Sequence, residues 1–538
     1  MDLASNVRDH FQAGFGAISV ATLEESRCLL ELRKAAAELH QKSMRLEIGR
    51  PTYLLICYPK TGFVQIGHSA EDTLSAAQLP VPKSFDEAIA QITSVQFLGG
   101  ANALVVMPDY HPYLEREPSY RRVLKQVIEG EALNNRDLQR MLVFVQAADK
   151  IHEDIDPYLA GIPFPMPDLA YLRTMVRAIT GQVTEVDESQ QYRLAQALQG
   201  LRSKDAADTL ALCSVRHKSF GPEVLPTIET AKASVLAKTA GLTYVSREEL
   251  GDVELGGYDV LEKHIALQAM ATSREAEEAH LDYPKGICLV GCPGTGKSVC
   301  VRTIAKLLQL PLVELDFASL FDKFVGASEQ RMRAAIDTVT ALGGCVLMVD
   351  EADKALGSAH EAGGDSGTTQ RVFGQLLSWL ARKQDRTFVV MTMNRVDGMP
   401  PELLRPGRFD KIFYVDLPNE DERKQIFAIH MKRRGVAVES YSKADFTKLA
   451  KATVDFSGAE IEAAVKSARL ASFHANPAKK GHPSIDELVA AVKATKPMAQ
   501  LDPQGIDSIR KFGRNGPTPV SSCLLSPSQS SSRNVSLS

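Results

Sequence analysis

The chain has 538 residues, more than one compact core holds, and so predicts two or three domains. Its 62 basic and 66 acidic residues give a net charge of −4. This balance argues against an overall positive charge that would attract nucleic acid or a membrane surface. The eight cysteines form no CxxC pair, and no stretch resembles a secretory signal or a membrane span. Reduced thiols, no membrane partner and a cytoplasmic location are therefore expected.

Residues 1–180 alternate strand-like runs with helical patterns, which predicts a parallel α/β sheet. The first of these runs, AISVA at 17–21, is followed within four residues by Glu24 and Glu25. Acidic side chains at the start of a helix would repel a phosphate group rather than bind it. We therefore interpret 1–180 as a degenerate nucleotide-type domain that lacks a phosphate loop and does not hydrolyse nucleotide.

The remaining chain predicts four further segments. Residues 181–252 carry apolar residues at helical spacing and are expected to form a helical lid and connector. A second α/β core is predicted over 253–418, and 419–500 form a helical subdomain that caps it. Residues 513–538 are rich in Ser and Pro and poor in large apolar side chains, so we expect a disordered tail.

The second α/β core contains the motif GCPGTGKS directly after the apolar run Ile287–Val290. Its glycines allow backbone N–H groups to turn around an anion, its lysine reaches the β- and γ-phosphates, and its serine hydroxyl can hold magnesium. Apolar residues at helical spacing follow, so the loop joins a strand to a helix N-terminus. The motif predicts a nucleoside triphosphate site with Ser298 as a metal ligand. The residues expected to contact the nucleotide are Gly291, Cys292, Pro293, Gly294, Thr295, Gly296, Lys297, Ser298 and Val299.

About fifty residues further on, a predicted buried strand ends in two carboxylates, Asp350 and Glu351. We expect Asp350 to hold magnesium and Glu351 to orient and polarise the attacking water. A strand that ends in Asp-Glu is common by chance, and alone it would indicate only an acidic turn. Its position after the phosphate loop favours the catalytic role.

A third strand leads to Asn394, whose amide is placed to sense the γ-phosphate or the attacking water. The segment PPELLRPGRFD then displays Arg405 and Arg408, and its prolines and Gly407 keep it out of a regular helix. Two arginines displayed in this way suit contact with a γ-phosphate across a subunit boundary, because they would neutralise charge that grows in the transition state. The alternative is a pair of solvated surface arginines.

These four elements, in this order, resemble the AAA family of ATPases over about residues 253–475. The resemblance implies a P-loop α/β core with a C-terminal helical lid, ATP hydrolysis with Mg²⁺, and a homo-oligomeric ring that we expect to be a hexamer. It also implies that Gly257 lies beside the adenine. Gly458 and Ala459 look like part of the lid turn that approaches the nucleotide.

The stretch FASLFDKFVGASEQRMR looks like the first pore loop of that family, with Lys323, Phe324, Val325 and Gly326 facing a central channel. In the family this aromatic position grips polypeptide, although core packing or stacking on a nucleic-acid base are alternatives. Three functions therefore stay open: a ring that remodels a protein client, a nucleotide-gated scaffold or switch whose output is its assembly state, and a nucleic-acid motor. The near-neutral charge makes nucleic acid the least favoured partner.

Features outside the ATPase motifs narrow the resemblance. An N-terminal α/β half without a phosphate loop, the single tryptophan Trp379 and the segment GRFDKIFYVDLP are similar to one poorly characterised AAA subfamily, found in cyanobacterial and plastid genomes and in other bacteria. The Thr-x-Glu-Glu turn at 22–25 and the pair Asp109 and His111 match that subfamily too. The resemblance implies an ATPase whose substrate is unsettled.

Overall fold

The computed structural model describes most of the chain, in two compact units. One unit is Met1–Tyr171 with Arg202–Asp208, and the other is Leu172–Leu201 with Thr209–Ser538. Most of the predicted connector, 181–252, thus belongs to the second unit. The described residues are 2–45, 50–58, 62–66, 81–135, 138–147, 151–181, 186–217, 219–251, 257–271, 276, 279–320, 327–357, 366–396, 399–477, 480–514 and 516–522.

The first unit is built on a mainly parallel sheet. Its strands are β1 (Ala17–Ala21), β2 (Thr52–Tyr58), β3 (Gly62–Ile66), β4 (Asn102–Pro108), β5 (Asn134–Asn135), β6 (Leu138–Gln146) and β7 (Ala160–Pro163). The spatial order is β3-β2-β4-β6-β1-β7, and β5 pairs with β6. The pairs β2–β3 and β5–β6 are antiparallel and the others are parallel. The central strands β4 and β6 are almost entirely buried, as expected for parallel strands that are covered on both faces.

Helices supply the cover on each face of this sheet. They are α1 (Leu3–Gln12), α2 (Glu25–Met44), α3 (Phe85–Thr93), α4 (His111–Arg116) and α5 (Pro118–Glu129). Ile18 and Val20 pack with α1 and α2 in one core, whereas Ala17 packs with α3 and α5 in another. Because successive side chains of a strand point to opposite faces, these two cores lie on the two sides of the sheet. The predicted parallel α/β architecture is confirmed.

The second unit contains a sheet with the same plan. Its strands are β8 (Leu242–Val245), β9 (Gly286–Gly291), β10 (Leu312–Leu315), β11 (Val346–Val349), β12 (Phe388–Met393), β13 (Lys411–Val415) and β14 (Thr518–Pro519). The spatial order is β14-β13-β9-β12-β11-β10-β8, with only β8 antiparallel to its neighbour among the described strands. The run β13-β9-β12-β11-β10 repeats the order β7-β1-β6-β4-β2 of the first sheet. If the five parallel strands of each sheet are numbered in chain order, their spatial order is 5-1-4-3-2 in both sheets. The first strand of each set therefore lies between the fifth and the fourth.

The remaining helices of the two α/β halves fall into two groups. Those between β7 and β8 are α6 (Leu169–Thr180), α7 (Glu188–Leu198), α8 (Ser203–His217) and α9 (Leu225–Leu236). Those of the second α/β core are α10 (Asp259–Met270), α11 (Lys297–Leu307), α12 (Ala327–Ala341), α13 (Ala352–Gly357) and α14 (Ser366–Arg382). The predicted helical connector is wrong in one respect, because β8 lies within it and extends the second sheet. Its four residues are too few for their alternation to stand out beside long helical patterns. Among the described helices none is long and apolar enough to cross a bilayer.

The helical lid after β13 has its own core around the fully buried Phe427. Its helices are α15 (Glu420–Arg433), α16 (Lys443–Ala452), α17 (Gly458–Ala475) and α18 (Ile485–Ala494). Each begins with a capping box, in which the side chains of the N-cap residue and of the third helical residue bond each other's backbone N–H groups. These sequence-local bonds fix where each helix starts. The predicted C-terminal helical lid is thereby confirmed.

The chain beyond the lid returns to the second sheet. It passes through α19 (Met498–Leu501) and α20 (Pro503–Arg514) before β14 pairs in parallel with β13. The backbone N–H of Val520 donates to the Tyr414 carbonyl at 3.1 Å, and the N–H of Val260 donates to the Val520 carbonyl at 3.0 Å. Val520 is 3% exposed. The segment is thus bonded on both sides and buried.

The prediction of a disordered tail over 513–538 is wrong for 513–514, which end α20, and for 516–522. Composition misled because these residues need no core of their own. They add to an existing sheet edge, where burying one valine and pairing a few backbone groups is enough. Ser521 also donates to the Glu422 carboxylate at 2.6 Å, so this segment contacts the first lid helix. Residues 523–538 lie outside the described residues, and for them disorder stays a prediction.

Deleting 516–538 should lower the thermal midpoint of the second unit by several degrees, because the Val520 side chain and the strand hydrogen bonds would contribute roughly 3–5 kcal/mol. Differential scanning calorimetry measures this shift. Deleting only 523–538 is the matched control and should leave the midpoint unchanged. Equal midpoints for both deletions would contradict a structural role for β14.

Candidate nucleotide-binding and hydrolysis site

The phosphate loop joins β9 to α11 and depends on its glycines. Gly294 and Gly296 have φ values of 74° and 94°, in the left-handed region that favours glycine. Gly291 faces β13 so closely that a Cβ atom there would lie 2.0 Å from the Val415 carbonyl oxygen. The predicted glycines are therefore needed for two separate reasons, loop conformation and strand packing.

Lys297 is the first residue of α11 and is 5% exposed. Its Nζ donates to the carbonyl oxygens of Gly291 at 2.9 Å and Cys292 at 2.8 Å. Burial lowers the pKa of this ammonium to about 8, because it disfavours the charged form. A phosphate bound beside it would favour protonation again, so the environment suits an anion.

The predicted metal ligands lie against each other at the end of the sheet. Ser298 Oγ donates to both Asp350 oxygens, at 3.1 Å and 3.0 Å. Hydroxyl and carboxylate oxygens are hard donors of the kind that Mg²⁺ prefers. The donor set therefore fits magnesium.

Thr392, at 1% exposure, is a site residue that sequence reasoning did not single out. Its hydroxyl donates to Asp350 Oδ1 and accepts a hydrogen bond from the Glu351 backbone N–H at 2.9 Å. One β12 side chain thus orients two consecutive residues at the end of β11. The available signal was a polar residue within the otherwise apolar run FVVMTM.

Glu351 has a φ value of 49°, an uncommon conformation for a residue with a side chain. Such a conformation costs about 1–3 kcal/mol and is typical of functional sites. Its carboxylate accepts from Asn394 Nδ2 at 3.2 Å and pairs with Lys354. The Glu351 side chain is 41% exposed, so water can reach it. The structure therefore brings the predicted base and the predicted sensor amide into direct contact.

The lid closes one side of a cavity of about 320 Å³ above the phosphate loop. Gly458 and Ala459, at the start of α17, line this cavity together with residues 293–299, Asp350, Glu351 and Asn394. The Ala459 N–H donates to the Gly294 carbonyl at 2.9 Å. A direct hydrogen bond thus connects the phosphate loop to the lid.

Several predicted nucleotide contacts do not line the cavity. Gly291 and Cys292 act instead through the carbonyl groups that hold Lys297. Gly257 packs against the lid, where an added Cβ would lie 2.6 Å from Glu422 Cδ. The next residue, Tyr258, lines the cavity and donates its hydroxyl to the Thr295 carbonyl at 3.0 Å.

The lid also contributes residues that sequence reasoning missed. The cavity is lined by one face of α15, whose residues follow the i, i+3, i+4, i+7 pattern: Ile426, Ile429, His430 and Arg433. Burial lowers the pKa of His430. That helical spacing was visible in the sequence, but only the fold shows that this face lines the cavity above the phosphate loop.

The two predicted arginines are outside this cavity. Arg405 follows the short 3₁₀ turn Pro401–Leu404 and is exposed, and it borders a separate surface depression. Arg408 donates to the Glu402 carbonyl at 2.6 Å. Among the described residues that line the nucleotide cavity, neither arginine is present.

The predicted pore-loop residues Lys323, Phe324, Val325 and Gly326 lie outside the described residues. Before them the described chain ends with the 3₁₀ turn Ala318–Leu320, and after them it resumes at the first residue of α12. Their role stays a prediction.

Thr392→Val should lower ATP turnover by about tenfold or more, because it removes a hydroxyl that orients both Asp350 and Glu351 without changing side-chain size. Turnover is measured by steady-state phosphate release across a magnesium titration. Thr392→Ser keeps the hydroxyl and should retain most of the activity. Similar rates for the valine and serine variants would contradict this role for Thr392.

Comparison with known proteins agrees with this geometry. Residues 287–417 match the family model described as ATPase family associated with various cellular activities (AAA). Residues 3–160 and 170–239 match the N-terminal domain and the second domain of models described as SpoVK-like AAA ATPase. Together these matches span both α/β halves.

Curated relatives extend the similarity along the chain. An uncharacterized AAA domain-containing protein ycf46 of Trieres chinensis is 32% identical over 416 residues, which cover 77% of this chain and 81% of that protein. The proteasome-activating nucleotidase of Methanosarcina mazei is 28% identical over 297 residues, 54% of this chain and 66% of its own length. A cell division cycle protein 48 homolog of Archaeoglobus fulgidus is 27% identical over 383 residues, 65% and 51% of the two chains. The chain belongs to the AAA family and is an ATPase that uses ATP with Mg²⁺.

Proposed function

We propose that this ATPase assembles into a ring, expected to be a hexamer, and uses hydrolysis to remodel a protein client. One observation carries the proposal. Phosphate-, metal- and water-handling groups share one cavity, whereas Arg405 and Arg408 lie outside it on an exposed segment. A neighbouring copy that presents these arginines would complete the site.

The residues of the cavity have separate roles in this proposal. Lys297 contacts the β- and γ-phosphates, and Ser298 and Asp350 hold magnesium. Bound magnesium offsets the charge of the phosphate oxygens. Glu351 accepts a hydrogen bond from the attacking water and orients it toward the γ-phosphate. Asn394, which already donates to Glu351, fixes the position of that carboxylate.

The arginines act on the neighbouring nucleotide. Arg408 is anchored by its bond to the Glu402 carbonyl, while Arg405 is exposed and free to extend toward a partner. A guanidinium placed at the γ-phosphate neutralises charge that develops in the transition state, an effect worth roughly three to five orders of magnitude when the arginine comes from another subunit. Hydrolysis would then require assembly.

Two observations support a protein client. The Ala459–Gly294 hydrogen bond ties the lid to the loop that holds the phosphates, so a change in the nucleotide shifts the lid against the core. Such a motion would move the pore loop or the N-terminal half against a client. In addition, the name of the Methanosarcina mazei relative describes a nucleotidase that activates the proteasome.

Mixing two inactive variants tests the shared site. The Glu351→Gln variant lacks the proposed base but keeps both arginines. The double variant Arg405→Ala/Arg408→Ala keeps Glu351 but lacks both arginines. Each alone should show little turnover, and co-expressed equal amounts should recover about a quarter of the wild-type rate, since random mixing pairs an intact site with intact arginines at about one interface in four. No recovery in mixed assemblies, isolated through a different affinity tag on each variant, would show that the arginines do not act in trans.

Phe324 separates a remodeller from a scaffold. Unfolded casein should stimulate turnover of the wild-type enzyme, and Phe324→Ala should lose at least half of that stimulation because the pore loop no longer grips polypeptide. Equal stimulation in both proteins would favour the scaffold or switch. Stimulation by RNA or DNA that weakens with salt would instead indicate the nucleic-acid motor.

A further inference from the structure

The strand β1 holds the same place in the first sheet that β9 holds in the second. The connections that follow them differ. Five residues, 292–296, separate β9 from α11, whereas three residues, 22–24, separate β1 from α2. The shorter connection contains no glycine, so it cannot fold into a cradle of inward N–H groups. It ends instead on the carboxylate of Glu24.

Glu24 is buried, with 7% exposure, and its carboxylate has defined partners. It accepts hydrogen bonds from the backbone N–H and the hydroxyl of Ser203, the latter at 2.8 Å. It also pairs with Arg27, whose side chain is 10% exposed. Arg27 in turn donates to the Pro165 carbonyl, and its guanidinium carbon lies 4.0 Å from the centre of the Phe164 ring. All of these residues belong to the first unit.

Ser203 has a counterpart in the ATPase half. It is the first residue of α8, the third described helix after β7, whereas Ala459 is the second residue of α17, the third described helix after β13. Ala459 donates its N–H to Gly294 of the phosphate loop. In both halves the start of this helix therefore bonds the connection that follows the corresponding strand. In the first half the bond is to an anionic side chain.

We propose that the Glu24 carboxylate takes the place of a nucleotide phosphate in the N-terminal half. It occupies the end of β1 with negative charge, which excludes a phosphate, and it supplies the acceptor that holds the start of α8. A buried carboxylate with an arginine and two further donors is costly to displace, because removing either charge leaves the other buried without its partner. We call the bonds from Glu24 to Arg27 and Ser203 the latch. The latch holds the start of α8 in place without a nucleotide, so the N-terminal half does not respond to ATP.

Hydrogen exchange tests this proposal in the full-length wild-type protein. The amides of 203–208 should show the same protection without nucleotide, with ADP and with a non-hydrolysable ATP analogue. The amides of 459–463 should gain protection when nucleotide binds and serve as the internal reference. Binding stoichiometry should be one nucleotide per chain. A nucleotide-dependent change over 203–208, or two nucleotides per chain, would overturn the proposal.

Substitutions test the latch itself. Glu24→Gln should reduce protection over 203–208 by about tenfold, as expected when a charge-assisted hydrogen bond is replaced by a neutral one. Glu25→Gln removes the adjacent carboxylate, which takes no part in these bonds, and should leave the protection unchanged. Ser203→Ala, which keeps Glu24 and Arg27 paired, should give a smaller loss and covers the case in which Glu24→Gln does not fold. Unchanged protection in the folded Glu24 and Ser203 variants would refute the latch. Because exchange is read in the N-terminal half, its outcome does not depend on ring assembly or on a client.

Discussion

The nucleotide site depends on the parallel alignment of three adjacent strands, β9, β12 and β11. The backbone register places Met393 beside Val290 and Met391 beside Val349, so the three strands end at the same edge of the sheet. Segments that are distant in sequence then meet there: the phosphate loop after β9, the two carboxylates after β11, and the polar residues at the end of β12. Ligands bind at this edge in open α/β sheets because the connections there converge on one crevice.

Within that crevice, Thr392 links the parts that must act together. Its hydroxyl bonds the Asp350 carboxylate, the proposed metal ligand, on one side and the backbone N–H of Glu351, the proposed catalytic glutamate, on the other. The second bond also supports a backbone conformation at Glu351 that a non-glycine residue rarely adopts. A residue in such a backbone conformation requires support, and at Glu351 it comes from the interior of the sheet, where the side chain of Thr392 is buried.

The two halves of the chain show how one strand order can serve different purposes. Each half has the same arrangement of five parallel strands and is followed in the chain by a set of helices. The ATPase half leaves the end of its first strand open as a glycine loop with a buried lysine. In the N-terminal half, a buried ion pair fills the corresponding place. The difference lies in a few residues of one connection, so sheet topology alone does not indicate which half binds nucleotide.

Much of this protein could be read from short stretches of sequence, because the relevant physics is local. Loop glycines, capping boxes and apolar periodicity depend on neighbouring residues, and they indicated the α/β cores, the lid and the phosphate loop. The residues Lys297, Ser298, Asp350, Glu351 and Asn394 were recognisable for the same reason, since each lies at a fixed place in a strand-turn unit. Family resemblance added the lid contacts, of which Gly458 and Ala459 line the cavity whereas Gly257 does not.

Only the tertiary structure decided the features that depend on distant parts of the chain. The role of Thr392 requires β11 and β12 to be neighbours, and the lid face of α15 becomes part of the site only when the lid packs above the loop. Residues 516–522 are ordered because they pair with a sheet edge formed about a hundred residues earlier in the chain. The composition of the segment does not reveal that pairing. Likewise the sequence showed that Glu24 stands where a phosphate loop is missing. That its carboxylate is buried and bonded to Ser203 follows from a contact across 179 residues. Local sequence determined which chemical groups are present, and long-range packing determined which of them meet.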